Sequence, residues 1–291
     1  MVISLRLCAL VANKNKGILE QVLTFDKKIK MNLSLQNKTA LVCGSTQGIG
    51  KAAAIELALL GANIILVSRN EEKLKSVLSE LDSSKGQKHN YLVADFSDSS
   101  ALELKLKDFL KNQPVEILVN NTGGPAAGPA NTASVEEFRV AFNMHLICNH
   151  ILVQAVKDKM IAAKYGRIIN VISTSVKQPL PNLGVSNTIR GAVASWSKTL
   201  ANELGQYNIT VNNVLPGATN TTRLKSIIEN KAQKTGETFD DVLKEMSNES
   251  PMKRVAEPEE VANVIAFLAS PAASYVNGIN VPVDGGRTKS L

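Results

Sequence analysis

The sequence is poor in cysteine, histidine and aromatic residues. Its 291 residues include three cysteines, three histidines and one tryptophan, and aromatic side chains make up only 4% of the chain. Cys8, Cys43 and Cys148 follow no metal-ligand or disulfide spacing, so we expect no bound metal and a reducing, cytoplasmic location. The net charge is +7, but few aromatic side chains stand among the basic ones. This pattern is atypical of nucleic-acid binding, so we expect no nucleic-acid partner.

The sequence also lacks a hydrophobic run long enough to cross a membrane. The apolar segment 1–12 contains Arg6 and is followed by the polar segment 13–16. A segment of this length and charge is a poor signal peptide and is too short to span a bilayer, so we expect no membrane partner. We interpret residues 1–35 as an N-terminal extension, which reflects either a misassigned translation start or a genuine helix at residues 17–29.

From residue 39 onward, short apolar segments alternate with longer segments of helical periodicity. We predict strands at residues 39–43, 62–67, 91–94, 116–119, 166–172, 210–215 and 280–283. We predict helices at residues 49–60, 71–81, 101–111, 134–163, 183–204 and 259–269. This alternation indicates a single doubly wound α/β domain of the Rossmann type at residues 36–291, with a parallel sheet of about seven strands and helices on both faces. Residues 223–250 form a long insertion, which we expect to be a mobile flap over a substrate.

A glycine-rich segment connects the first predicted strand to the first predicted helix. It consists of Gly44, Ser45, Thr46, Gln47, Gly48, Ile49 and Gly50. Glycines between a strand and a helix let the backbone approach a pyrophosphate, whose charge the helix N-terminus stabilises. The segment therefore predicts a dinucleotide-binding loop.

The residues after the second and third strands indicate which dinucleotide binds. Ser68, Arg69 and Asn70 follow the second strand. A basic residue here neutralises the additional phosphate of NADP, whereas an acidic residue would bind the ribose hydroxyls of NAD, so we favour NADP over NAD. Asp95 and Phe96 follow the third strand, where we expect contact with the adenine. The excess of positive charge also suits an anionic cofactor.

Four further motifs occur in order, LVNNTGG at residues 118–124, GRIINVIS at 166–173, VNNVLPG at 211–217 and VPVDGG at 281–286. Together with the glycine-rich loop, they make residues 36–287 resemble the short-chain dehydrogenase/reductase family, and within it the 3-oxoacyl-acyl-carrier-protein reductases. The resemblance implies a nicotinamide cofactor, a small-molecule substrate and a homotetramer or homodimer. It also implies cofactor contacts from Asn121, Thr122, Gly123, Pro216, Gly217, Thr219 and Thr221.

The resemblance implies a catalytic set of Asn, Ser, Tyr and Lys, of which this sequence keeps the serine. Ser173 matches that serine. The tyrosine position falls on Ser186 and the lysine position on Arg190, while the asparagine position falls on His145. Arginine does not deprotonate, but it can hold the ribose hydroxyls and a developing oxyanion. Ser173, Ser186, Arg190 and His145 are therefore the candidate catalytic residues.

Two functions are compatible with this set of residues. The first is an NADP-dependent oxidoreductase that transfers a hydride between the nicotinamide and a small carbonyl or alcohol, with water or His145 as the proton donor. A histidine has an ordinary pKa of about 6.5, which suits that role, but the apolar segment around His145 favours a core or interface residue. The second is a protein that binds NADP without the usual redox chemistry, either a lyase or isomerase or a regulatory protein, because the tyrosine is replaced.

Overall fold

The computed structural model describes residues 31–290. The helix expected at residues 17–29 lies outside the described residues, as does all of the expected extension except residues 31–35. The described chain folds around one parallel β-sheet with helices on both faces, which confirms the doubly wound α/β domain predicted from the sequence.

The sheet has seven strands, all paired in parallel, in the order β3-β2-β1-β4-β5-β6-β7. They are β1 Thr39–Cys43, β2 Asn63–Ser68, β3 Asn90–Val93, β4 Ile117–Asn120, β5 Gly166–Val171, β6 Ile209–Pro216 and β7 Asn280–Val283. The predicted strands agree with these bounds to within one residue, because a strand covered on both faces is a continuous apolar run. The chain reverses its direction across the sheet between β1 and β4, and such a reversal opens a crevice at the carboxyl ends of the strands.

The helices pack on both faces of the sheet. They are α1 Gly48–Leu59, α2 Glu71–Glu80, α3 Ser99–Phe109, α4 Val135–Phe142, α5 Cys148–Ala163, α6 Gly184–Leu204, α7 Thr222–Thr235, α8 Phe239–Asn248 and α9 Pro258–Ala269. Helices α1, α2 and α9 cover one face, and α3, α5 and α6 cover the other. Within residues 31–290, no helix combines the length and the apolar character that crossing a membrane requires.

Two predicted segments differ from the structure. The single helix predicted at residues 134–163 is interrupted by a π-helical turn at Asn143–Ile147, whose extra residue leaves no signal in the apolar periodicity. The flap predicted at residues 223–250 consists of the two helices α7 and α8. Leu224, Ile228 and Val242 are buried between these helices, so the segment has a small apolar core of its own.

A row of asparagine side chains crosses the four neighbouring strands β4 to β7. Asn120 donates a hydrogen bond of 2.8 Å to Asn170, Asn170 donates one of 3.0 Å to Asn213, and Asn213 donates one of 2.7 Å to Asn280. Asn170 also donates to the Ser197 hydroxyl of α6 at 2.9 Å. These amides are paired register neighbours in β4 to β7, so the row ties together the strands from which the loops of the carboxyl edge emerge.

Candidate active site

Two adjoining cavities open where the loops after β1, β4, β5 and β6 meet. The first, of about 320 Å³, lies over the loop 44–50, and we call it the glycine-loop cavity. The second, of about 240 Å³, contains Arg190, and we call it the arginine cavity. Both cavities are lined by Ile49, Asn121, Thr122, Thr221 and Arg223. A ligand that fills the first cavity can therefore extend into the second.

Most residues predicted to bind the cofactor line the glycine-loop cavity. They are Gly44, Thr46, Gln47, Gly48, Ile49, Ser68, Arg69, Asp95, Phe96, Asn121, Thr122, Gly123 and Thr221. Pro216, Gly217 and Thr219 line the arginine cavity instead. Gln47 precedes α1 without capping it through its side chain, so backbone N–H groups of the first turn are available to an anion. The cavity therefore suits a dinucleotide with its pyrophosphate at the start of α1.

Three residues predicted to contact the cofactor, Ser45, Gly50 and Asn70, do not line the glycine-loop cavity. Ser45 is fully buried, and its hydroxyl accepts a hydrogen bond of 3.0 Å from the N–H of Val67. Asn70 caps α2, where its Oδ1 accepts a hydrogen bond of 2.9 Å from the N–H of Lys73. Gly50 packs against the loop itself. Position in a motif does not show whether a residue faces a ligand or supports the backbone around the site. Ser45, Gly50 and Asn70 support the backbone.

The glycines of this loop allow a close approach of backbone segments. Gly44 has a φ of +60°, and a Cβ atom there would lie 2.5 Å from the carbonyl oxygen of Asn121. A Cβ atom on Gly50 would lie 2.2 Å from the carbonyl oxygen of Gly44. The Asn121 side chain donates to the Cys43 carbonyl at 3.2 Å, which fixes the loop after β4 against the loop after β1. Only glycine fits at these two positions.

Ser173, Ser186 and Arg190 all line the arginine cavity. The Ser173 hydroxyl accepts a hydrogen bond of 3.1 Å from the N–H of Ser175, so this bond does not use its own hydrogen. Ser186 and Arg190 lie one turn apart on α6, and both are buried. Arg190 Nη1 donates to the Val171 carbonyl at 3.2 Å. Three of the four candidate catalytic residues are thus brought together at the end of β5.

Arg223 is a site residue that the sequence analysis did not single out. It lies in the first turn of α7, two residues after Thr221, which was matched to the family. Its Nη1 donates to the Gly124 carbonyl at 3.0 Å, and its Nη2 donates to the Pro125 carbonyl at 2.9 Å. Its position two residues after Thr221 is the feature of the sequence that could have identified it, but Arg223 is also the first residue of the predicted insertion.

The arginine cavity is electropositive. Burial, together with the positive charge of Arg223, lowers the pKa of Arg190 to about 10. Partial burial also lowers the pKa of Arg223. Both guanidinium groups nevertheless stay protonated at neutral pH. The described residues that line this cavity include no aspartate or glutamate, so the cavity favours anionic groups.

His145 differs most from its predicted role. It lies in the π-helical turn, is 1% exposed, and its Nδ1 is 2.7 Å from the Thr122 hydroxyl. Burial, with the positive charges of Arg190 and Arg223, lowers its pKa to about 3. The expectation of an ordinary histidine pKa is therefore wrong, because the ring is neutral at physiological pH. His145 borders a third cavity, beside α4, and does not line the arginine cavity.

Gly50→Ala should abolish nucleotide binding. The added Cβ would meet a backbone oxygen at 2.2 Å, and no side-chain rotation relieves that contact. We expect the dissociation constant for NADPH, measured by fluorescence titration, to rise at least about 100-fold. Gly191→Ala in α6 is the matched control, since a Cβ there meets nothing within 4 Å. It should keep wild-type binding and gain up to about 1 kcal/mol of stability. Unchanged binding by Gly50→Ala would place the nucleotide elsewhere.

His145→Asn should reduce the sensitivity of the fold to acid. Because the pKa of His145 is about 3 in the folded protein, the unfolded chain binds more protons below its ordinary pKa, and stability falls as the pH decreases through that range. Between pH 7 and pH 5 this coupling lowers the free energy of unfolding by about 2 kcal/mol. Urea unfolding of His145→Asn should lack that loss, whereas the exposed control His150→Asn should keep it. Equal pH dependence in all three proteins would contradict the burial of a neutral ring.

Comparison with known proteins agrees with this geometry. A family model described as enoyl-(acyl carrier protein) reductase matches residues 44–288. The chain is 36% identical over 265 residues to an uncharacterised oxidoreductase, YvrD, of Bacillus subtilis, covering 90% of this chain and 100% of the relative. It is 30% identical over 261 residues to the NADPH-dependent reductase BacG of the same organism, covering 88% of this chain and 100% of the relative.

A solved structure shares the fold over the same range. L-sorbose reductase from Gluconobacter frateurii, solved in complex with NADPH and L-sorbose, is 30% identical. It superimposes with a TM-score of 0.84 over 90% of this chain and 100% of that chain. The seven-stranded sheet, the glycine loop, the family match over most of the chain and these relatives together show that the chain belongs to the short-chain dehydrogenase/reductase family.

Proposed function

We propose that the protein is an NADP-dependent reductase that transfers a hydride to a small carbonyl compound. The observation that carries this proposal is the wall shared by the two cavities, which includes Asn121, Thr122 and Thr221. A dinucleotide with its pyrophosphate at the start of α1 would extend along that wall toward Ser173 and Arg190. The reacting carbon would then lie beside a hydroxyl group and a guanidinium group.

The preference for NADP rests on Arg69 and on the relatives. Arg69 lines the glycine-loop cavity after β2, where the adenosine end of the cofactor would lie, and it is exposed to solvent. A phosphate on the ribose would pair with this guanidinium by charge-assisted hydrogen bonds. One relative is named an NADPH-dependent reductase, and the L-sorbose reductase was solved with NADPH bound. Residues and relatives therefore favour the same cofactor.

Ser173 and Arg190 would act on the carbonyl oxygen. When bound, NADPH supplies the hydride. The hydroxyl hydrogen of Ser173 is free to bond the substrate oxygen, because the Ser173 Oγ accepts its own bond from Ser175. Arg190 brings a positive charge to the oxygen as it becomes an alkoxide, and one Nη1 hydrogen is already committed to Val171. This arrangement stabilises negative charge at the position where reduction creates it.

The proton for the alkoxide would come from water. His145 is neutral and does not line the arginine cavity, so it would not donate this proton. The described lining residues include no tyrosine, and Ser186 supplies only a hydroxyl of very low acidity. Replacement of the family tyrosine and lysine by Ser186 and Arg190 would then leave a site that stabilises the alkoxide by charge. The proton arrives from solvent.

A second candidate function follows from the same observation. Because no described residue lining the arginine cavity has an ordinary pKa near neutrality, the site could bind NADP without reducing a carbonyl. The protein would then be a lyase or isomerase or a regulatory nucleotide-binding protein. The two candidates differ in whether NADPH is consumed.

NADPH consumption by the wild-type protein, measured with ketones, aldehydes and 3-oxoacyl thioesters, tests the proposal. We expect turnover whose kcat is flat from pH 6 to pH 9, since the pKa of His145 is about 3 and that of Arg190 is about 10. Ser173→Ala should lower kcat about 100-fold by removing one donor to the oxyanion. Ser195→Ala, on the exposed side of α6, should leave kcat unchanged.

A matched variant separates the two candidate functions. Ser186→Tyr/Arg190→Lys restores the family pair in the same cavity. If the wild type binds NADPH without consuming it and only this double variant turns over, the second candidate is correct. A step in the pH profile of wild-type kcat near neutrality would show that a titrating group supplies the proton.

Arg69→Ala should weaken the binding of NADPH while leaving the binding of NADH nearly unchanged. Loss of the guanidinium removes the partner of the additional phosphate, so we expect the dissociation constant for NADPH to rise about 10- to 100-fold. The constant for NADH, which lacks that phosphate, serves as the internal control and should change less than about twofold. Equal weakening of both cofactors would assign phosphate recognition to other residues.

A homotetramer or homodimer and a cytoplasmic location, which the sequence led us to expect, stay predictions. Exposed apolar side chains along α4 and the π-helical turn, at Val140, Phe142 and Ile147, supply a surface that association would bury.

A further inference from the structure

We propose that the substrate carries a carboxylate group beside its carbonyl and that Arg223 binds this carboxylate. This inference rests on the proposed function, because it names the class of compound that the arginine cavity would accept. It starts from a charge imbalance in a cavity whose described walls contain three arginines and no acidic residue.

The three arginines differ in how their charges are balanced. Arg287 forms an ion pair with Glu249, which directly follows α8, so its charge is compensated within the protein. Arg190 and Arg223 form no ion pair with any residue between 31 and 290. Each instead donates to backbone carbonyl groups, which solvate a cation but do not neutralise it. Two cationic groups in this cavity are therefore left for a ligand to neutralise.

Arg190 and Arg223 face the same small volume. A Cβ atom on Gly124 would lie 2.9 Å from Arg223 Nη2 and 3.6 Å from Arg190 Nη2. Two like charges this close repel each other, and the lowered pKa of Arg190 reflects that repulsion together with burial. An anion placed beside both groups relieves the repulsion. Arrangements of this kind favour ligands that bring negative charge.

The N–H donors of Arg223 that are not bonded within the protein match a planar oxyanion. The bonds from Arg223 to the carbonyls of Gly124 and Pro125 use one hydrogen on each Nη atom. The guanidinium has five N–H donors, so three are left in a fixed plane. A carboxylate matches this fork with two parallel hydrogen bonds, which a neutral ketone or alcohol cannot form.

The cavity also has apolar lining residues. They are Leu183, Leu224, Ile227 and Met246, the last three from α7 and α8. A cavity of about 240 Å³ lined by both cationic and apolar side chains suits a small oxo acid with a short apolar body. The carbonyl would lie at Ser173 and the carboxylate at Arg223.

The pyrophosphate of the cofactor is the other anion within reach, because Arg223 lines both cavities. Two observations favour the substrate. The Arg223 guanidinium is held at Gly124 and Pro125, beyond the residues that follow β4 directly, and its charge acts on Arg190. The pyrophosphate already has the uncapped N-terminus of α1.

The test compares 2-oxopentanoate with methyl 2-oxopentanoate, which differ in the charge but hardly in shape. With saturating NADPH, the ratio of kcat/KM for acid over ester should fall about 30-fold or more in Arg223→Gln. Comparing this ratio between the wild type and each variant cancels the difference in intrinsic reactivity between the acid and the ester. Arg223→Lys should restore part of the ratio. Lys225→Gln, which removes an exposed cation from the same helix, should leave the ratio at its wild-type value.

Calorimetry gives a second readout that needs no turnover. Pentanoate should bind the protein–NADP⁺ complex at least 10-fold more tightly than pentanamide, and Arg223→Gln should abolish this preference. An acid-to-ester ratio that Arg223→Gln leaves at its wild-type value, or equal binding of pentanoate and pentanamide by the wild type, would overturn the inference. Weaker NADPH binding by Arg223→Gln with an unchanged acid-to-ester ratio would assign Arg223 to the pyrophosphate. If pentanoate binds as expected but no carbonyl compound consumes NADPH, the anion site stands and the reductase proposal fails.

Discussion

The asparagine row across β4 to β7 is the constraint on which the arginine cavity depends. Each amide bonds its register neighbour, and Asn170 also holds α6 through Ser197. The loops that emerge from these strands carry Asn121 and Thr122 after β4, Ser173 after β5 and Gly217 after β6. A shift of one strand along its axis would break buried amide bonds, and an unpaired buried amide costs about 1–3 kcal/mol. The row therefore fixes the relative heights of the loops that form the site, while apolar packing alone would allow the strands to slide.

Uncompensated positive charge is the second constraint, and it lowers the stability of the fold, whereas the asparagine row raises it. The fold brings Arg190 from α6 and Arg223 from α7 to the same loop without an acidic partner among residues 31–290. Burial, together with the positive charges of these two arginines, keeps the His145 ring neutral beside Thr122. Arg190 is buried and Arg223 is exposed to solvent, and their uncompensated like charges repel each other and lower the stability of the empty site. Such a cost is retained at functional sites because a ligand removes it.

Sequence patterns predicted the fold far better than the orientation of single side chains. Strand bounds agreed closely because buried strands are apolar throughout, and the Gly44–Gly50 loop was found because its spacing reflects backbone geometry. The patterns missed the π-helical turn around His145 and the helical nature of residues 223–250, since neither changes the apolar pattern strongly. They also assigned Ser45 to the ligand, although it faces the interior. The environment of a side chain depends on residues distant in sequence, as the pKa of His145 shows through Arg190 and Arg223.

In the proposed reductase, Ser186 and Arg190 would stand where the family resemblance implies a tyrosine and a lysine, and this would change what limits the chemistry. A phenol beside a lysine can deliver a proton to the developing alkoxide, whereas a serine hydroxyl cannot do so at neutral pH. Stabilisation must then come from charge, and Arg190 is buried where charge acts strongly. With the cavity empty, the field of Arg223 opposes any further positive charge near Arg190. A substrate carboxylate on Arg223 would offset that repulsion and leave the Arg190 charge available to the alkoxide. A neutral carbonyl compound would still meet the charge of Arg190, but it would lack the bond to Arg223 that holds an oxo acid in place.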